Sequence, residues 1–208
     1  KYLYILTFHM DYFLQPSKPL KQGTRRLYGI AETLHPSHLL KRPGFLEYAI
    51  ERLYPKIGRE IASAEMACLE ELNPAVIFQE GYEPSTSPES KVNPAWLYNN
   101  RYRNSRQFQV IYLDEGFPFE SLSSDEERES HWLRLINENL SPDSRGVIIA
   151  GVYHLKDKLY PKDLYTDTSE FPKMLSDNGI KLTVVLQTLP RELIEAIATQ
   201  RFRERHMH

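Results

Sequence analysis

Short apolar runs alternate along the chain with longer stretches in which apolar residues recur every three or four positions. Tyr2 to Phe8 is apolar and aromatic with no polar alternate, the mark of a strand covered on both faces. The same signature returns in Ala75 to Gln79 after Asn73-Pro74, in Phe108 to Leu113, in Val147 to Ala150 and in Leu182 to Leu186. Between these runs, Ile57, Ile61, Ala64, Cys68 and Leu72 fall on one helix face. Pro55 marks the start of that helix, or a kink in an element beginning near Phe45. Ser124 and Glu127 have the spacing of a capping box, ahead of a packing face made of Trp132, Leu133, Ile136 and Leu140. A shorter helix is expected from about Glu170 to just before Asn178-Gly179, and Pro190 opens a last one carrying Leu193, Ile194 and Ile197. Strands and helices in alternation require crossovers, so the expected fold is α/β: an open, mostly parallel sheet of about five strands flanked by helices.

Two stretches are too long for the short connections of such a fold, Gln15 to Gly44 and Glu83 to about Arg106, and both read as loop insertions or lids. The first carries Lys18, Lys21, Arg25, Arg26, Lys41 and Arg42 against the single acid Glu32. The second mixes Tyr98 and Tyr102 with Arg101, Arg103 and Arg106. Either could hold an anionic group, although a solvated basic surface is the commoner meaning of such clusters. With 208 residues the chain is read as one domain over 1–208, large enough to bury about 70% of its unfolded surface without staples.

Composition narrows the partners. A net charge of −2 gives no global attraction to nucleic acid or to an anionic membrane. No apolar run reaches the length of about 20 residues that spans a bilayer, and the first residues lack the layout of a secretory signal. Cys68, the one cysteine, falls among apolar helix positions and reads as a buried structural thiol. A reducing, cytoplasmic setting is therefore expected, with the opening at Lys1 leaving an upstream processed segment open.

The candidate chemistry sits where the strands end. Ligands of open parallel sheets bind beyond the carboxyl ends of the strands, because the loops converge there. The residues leaving four of the expected strands are His9-Met10-Asp11, Gln79-Glu80-Gly81, Asp114-Glu115-Gly116 and Gly151-Val152-Tyr153-His154. Any one of these acids or histidines is more often a cap or a turn former, and the weight comes from their coincidence. Imidazoles and carboxylates at one edge suit activated-water chemistry. His9, Glu80 and His154, with Asp11 or Asp114, could hold a divalent ion or act on water directly. Two histidines and a carboxylate would favour zinc, and a set richer in carboxylates manganese. Arg128 and Glu129 lie at the start of a helix entering from the same edge, and Arg128 falls one turn before Trp132 on its packing face. It could bind substrate charge or an oxyanion, or merely pair with Glu80 or Asp114. His131, His206 and His208 are weaker candidates, and His35 and His38, separated by a turn at Pro36, read as a casual loop pair. No phosphate loop, dinucleotide fingerprint or nucleophile elbow is present.

His9, Glu80, Arg128 and the motif VIIAGVYHL with Gly151 and His154 resemble the TraB and Tiki superfamily, to which the ChaN proteins and the erythromycin esterases are distantly related. Leu6 stands where the early Gly-x-x-His of that pattern has glycine. The resemblance implies a hydrolase, metal-dependent as in Tiki proteins or metal-free as in erythromycin esterases, while ChaN implies haem binding. The substrate would be a small molecule or peptide, anionic if the basic loops engage it. Two other classes fit the same residues: a non-enzymatic domain binding an anionic ligand or partner, and a phosphodiester or nucleotide hydrolase using Arg101, Arg103, Tyr98 and Tyr102.

Overall fold

The computed structural model describes residues 9–11, 25–32, 61–84, 93–117, 124–155 and 169–188. In chain order the elements are β1 (His9–Asp11), β2 (Arg25–Glu32), α1 (61–72), β3 (Val76–Gln79), α2 (Pro94–Tyr102), β4 (Gln109–Tyr112), α3 (Asp125–Asn139), β5 (Arg145–Gly151), α4 (Val152–Leu155), α5 (Phe171–Asp177) and β6 (Ile180–Thr188). The strands form one sheet in the order β1-β6-β2-β5-β3-β4. β6, β2, β5, β3 and β4 run parallel, and β1 joins the edge antiparallel to β6. The fold is α/β with an open, mostly parallel sheet, as the alternating pattern implies.

Side-chain alternation divides the core into two layers. Val76 and Phe78 of β3, with Ile148 and Ala150 of β5, pack against Trp132, Ile136 and Leu140 from α3 and its end, Leu155 of α4, and Phe171 and Leu175 of α5. Ile77, Val147 and Ile149 point the other way, onto Met66, Cys68, Leu69 and Leu72 of α1 and Ala95 and Tyr98 of α2. Cys68 is a buried thiol among these apolar neighbours. Among the described residues no helix is long and apolar enough to cross a membrane.

The two expected insertions are corrected in part. Arg25–Glu32, inside the stretch read as a loop, is a parallel strand flanked by β5 and β6. Its paired arginines and Gly29 disguise it. Arg25 Nη1 donates to Asn137 Oδ1 at 2.7 Å, and a Cβ on Gly29 would come within 3.1 Å of Leu155 Cδ1 and 3.3 Å of Leu182 Cδ1. The glycine thus lets α4 lie close over the strand, a tertiary demand with no local sequence signature. Within the second stretch, Pro94–Tyr102 is helical, capped by Asn93, whose side chain accepts from the Trp96 amide at 2.8 Å. Tyr2 to Phe8 and the helix expected after Pro190 lie outside the described residues.

Candidate functional site

Four of the sequence-derived residues converge on the α3 side of the sheet at its carboxyl edge. Glu80 follows β3, and its amide donates to the Ile149 carbonyl at 2.9 Å, extending the β3–β5 ladder by one residue. Even-numbered positions of β3 face α3, so Glu80 projects toward that helix. Its Oε2 accepts from the Gly151 amide at 2.7 Å. Its Oε1 lies 2.9 Å from Arg128 Nη2 and 3.8 Å from His154 Nε2.

Asp114, leaving β4, holds the guanidinium in two-point contact. Arg128 Nε donates to Oδ1 at 2.8 Å and Nη2 to Oδ2 at 2.5 Å. Trp132 Nε1 donates to Oδ1 at 2.8 Å and the Gly81 amide to Oδ2 at 2.9 Å. Burial alone would raise the Asp114 carboxyl, but these charged and neutral donors outweigh it and hold it below the ordinary carboxylate range. Burial likewise disfavours the Arg128 cation, and the bonds to Asp114 and the charge of Glu80 more than restore it. Gly81 adopts φ +97°, a backbone state a side chain would strain, and this turn aims its amide at Asp114.

His154 sits on α4, one short turn after β5, buried with its ring edge-on to Trp132 at 4.8 Å between centroids and to Tyr153 at 5.1 Å. Its Nδ1 is 2.7 Å from Oε1 of Glu129. Glu129 is only 3% exposed, and the Ser169 hydroxyl also donates to its Oε1. The sequence places Glu129 beside Arg128 at this edge without giving it a role, and Ser169 does not stand out in it at all. The available signal was Glu129's position, three before Trp132 and seven before Ile136, which sets an acid on the buried stripe of α3.

The other expected members are not drawn into this cluster by the backbone. His9 pairs with Thr188 and Asp11 with Leu186. β1 is therefore separated from β5 by β6 and β2, three strand spacings or about 14 Å. The side chains of His9 and Asp11 lie outside the described residues.

Among the described residues no group of three histidine, cysteine or acidic side chains is arranged to hold a metal ion. The donors themselves do not suit one. The Arg128 cation occupies the approach to Glu80 Oε1, Asp114 is taken up by four donor contacts, and Nδ1 of His154 faces Glu129. A dication there would oppose the guanidinium at close range.

Tyr98 and Tyr102 are engaged within the fold. Tyr98 is fully buried, its hydroxyl accepting from Arg106 at 2.8 Å, and the Arg106 guanidinium lies 4.1 Å from the centre of the Tyr102 ring. The Tyr102 hydroxyl donates to Glu70 at 2.8 Å, and Arg101 pairs with the same carboxylate at 3.0 Å. These contacts bind α2 to α1 and leave the Tyr98 ring unable to stack on a base. Comparison with protein-family models, curated proteins and solved structures returns no match to this chain.

Proposed function

We propose that this protein is a metal-free hydrolase of ester or amide bonds in which His154 and Glu80 activate water and Arg128 steadies the developing negative charge. One observation carries the reading. With Nδ1 facing the Glu129 carboxylate, which can only accept, the ring proton belongs on Nδ1 and the Nε2 lone pair is left toward Glu80 Oε1, 3.8 Å away. That separation is too long for a direct hydrogen bond and suits a water donating to both acceptors.

In the proposed reaction the water oxygen attacks the acyl carbon as its proton passes to His154 Nε2. The carbonyl oxygen becomes an oxyanion beside Arg128. His154 then returns the proton to the departing alcohol or amine as the carbon–heteroatom bond breaks. Because Arg128 already faces Glu80 and Asp114, its role is assigned to the transient oxyanion rather than to a permanently charged substrate group. The resemblance of Glu80, Arg128 and Gly151-x-x-His154 to the erythromycin esterase branch supports the same chemistry.

The test is turnover of a panel of aryl esters, lactones and short peptides by the wild-type protein, His154→Ala and Glu80→Gln, each treated with chelator. Chelation should leave wild-type turnover intact, and either substitution should lower it by about 10²- to 10⁴-fold. Turnover unaffected by His154→Ala, or none by the wild-type protein, would overturn the proposal.

A further inference from the structure

We propose that Glu129 and Ser169 are a positioning pair that fixes the tautomer and orientation of His154. The inference deepens the hydrolytic reading, on which only its kinetic consequence depends. A buried carboxylate is costly unless donors satisfy it, and two reach one oxygen of Glu129 from different elements: His154 on α4 and Ser169 just ahead of α5.

Ser169 is itself oriented. Its Oγ accepts from the Phe171 amide at 2.9 Å, which directs the hydroxyl proton to Glu129. Phe171 N–H donates to Ser169 and Ser169 O–H to Glu129, and this short relay converges with the His154 Nδ1–H donor on one oxygen of the Glu129 carboxylate, which is thereby held in place against the ring. A flipped imidazole would set a ring carbon against Glu129 and forfeit that bond. The edge-on Trp132 ring, which also packs on Phe171 at 5.7 Å between centroids, closes the other side. Neither Glu129 nor Ser169 needs to touch substrate to act in this way.

The experiment reads the ring directly. Two-bond proton–nitrogen correlation spectra of uniformly labelled full-length protein, assigned by difference with His154→Gln, report which ring nitrogen carries the proton. The Nδ1-protonated form should predominate in the wild-type protein. Glu129→Gln and Ser169→Ala should shift His154 toward Nε2 protonation, and Ser169→Thr should restore it. Against the substrate panel, kcat should fall about 100-fold in Glu129→Gln and about 10-fold in Ser169→Ala with KM little changed. An unchanged tautomer in folded Glu129→Gln and Ser169→Ala overturns the pair. A shifted tautomer without hydrolysis by any form upholds the pair and removes the hydrolytic reading. Should Glu129→Gln not fold, the Ser169 variants decide the question.

Discussion

Asp114 is pulled in opposite directions by its surroundings, and the balance has a measurable sign. Burial favours the neutral acid, while the Arg128 guanidinium, the Trp132 indole and the Gly81 amide favour the carboxylate and prevail. A carboxyl held below its ordinary value of 3.8 adds stability that is fully present above that pH and is lost as pH falls through the folded value. Asp114→Asn removes this contribution and leaves Arg128 with Glu80 as its remaining acid partner, so it should cost about 3 kcal/mol at neutral pH. Urea midpoints measured between pH 7 and pH 2 check both parts. The wild-type curve should fall more steeply than the variant's below about pH 4, the two converging in acid. Parallel curves would show that Asp114 is not held in this way. The importance of Asp114 was visible at a strand exit, but its part as the holder of Arg128 was one of two readings that sequence could not separate. Both roles need an acid and a base one helix turn from an aromatic, and the choice between them depends on distances.

At the scale of one element, α3 shows which information is local. Ser124 accepts from the Glu127 amide at 3.3 Å, and Asp125, Glu126 and Glu127 fill the positive first turn, so the start of the helix was legible. Its buried face was legible too, since Trp132, Ile136 and Leu140 follow the helical repeat. The place of Glu129 at the carboxyl edge was legible as well, but its partners were not, because the histidine and serine that reach it come from other elements. Arg128 and Glu129 lie just past the cap, which couples helix entry to the site. Ser124→Ala should therefore cost about 1 kcal/mol, while Ser124→Gly should cost only a few tenths. Thermal unfolding of the two variants tests this, and an alanine variant as stable as glycine would show that the hydroxyl contributes nothing to the helix start.

The arrangement of the whole sheet revises the candidate set more than any side chain does. Glu80, Asp114, Arg128 and His154 lie together at the carboxyl edge, and their shared edge was legible because β3, β4 and β5 are apolar enough to be read without tertiary context. The expected first strand, Tyr2 to Phe8, lies outside the described residues, and the first described strand of the parallel set is Arg25–Glu32. That stretch was expected as loop, yet it is the strand neighbouring β5, and Glu32 pairs with Gly151. β5 and β2 are adjacent, while the connections leaving β4 and β5 each pass over a strand to reach the next. The connections leaving the neighbouring strands β5 and β3 lead in opposite directions, so the crevice of the sheet opens between the exits that carry Gly151 and Glu80. His9, on the antiparallel edge strand, starts about 14 Å away from β5. His9→Ala should therefore leave turnover of the substrate panel within about threefold. Comparing kcat/KM of His9→Ala with that of the wild-type protein at equal fold stability checks this, and a loss of about 10-fold or more would return His9 to the site.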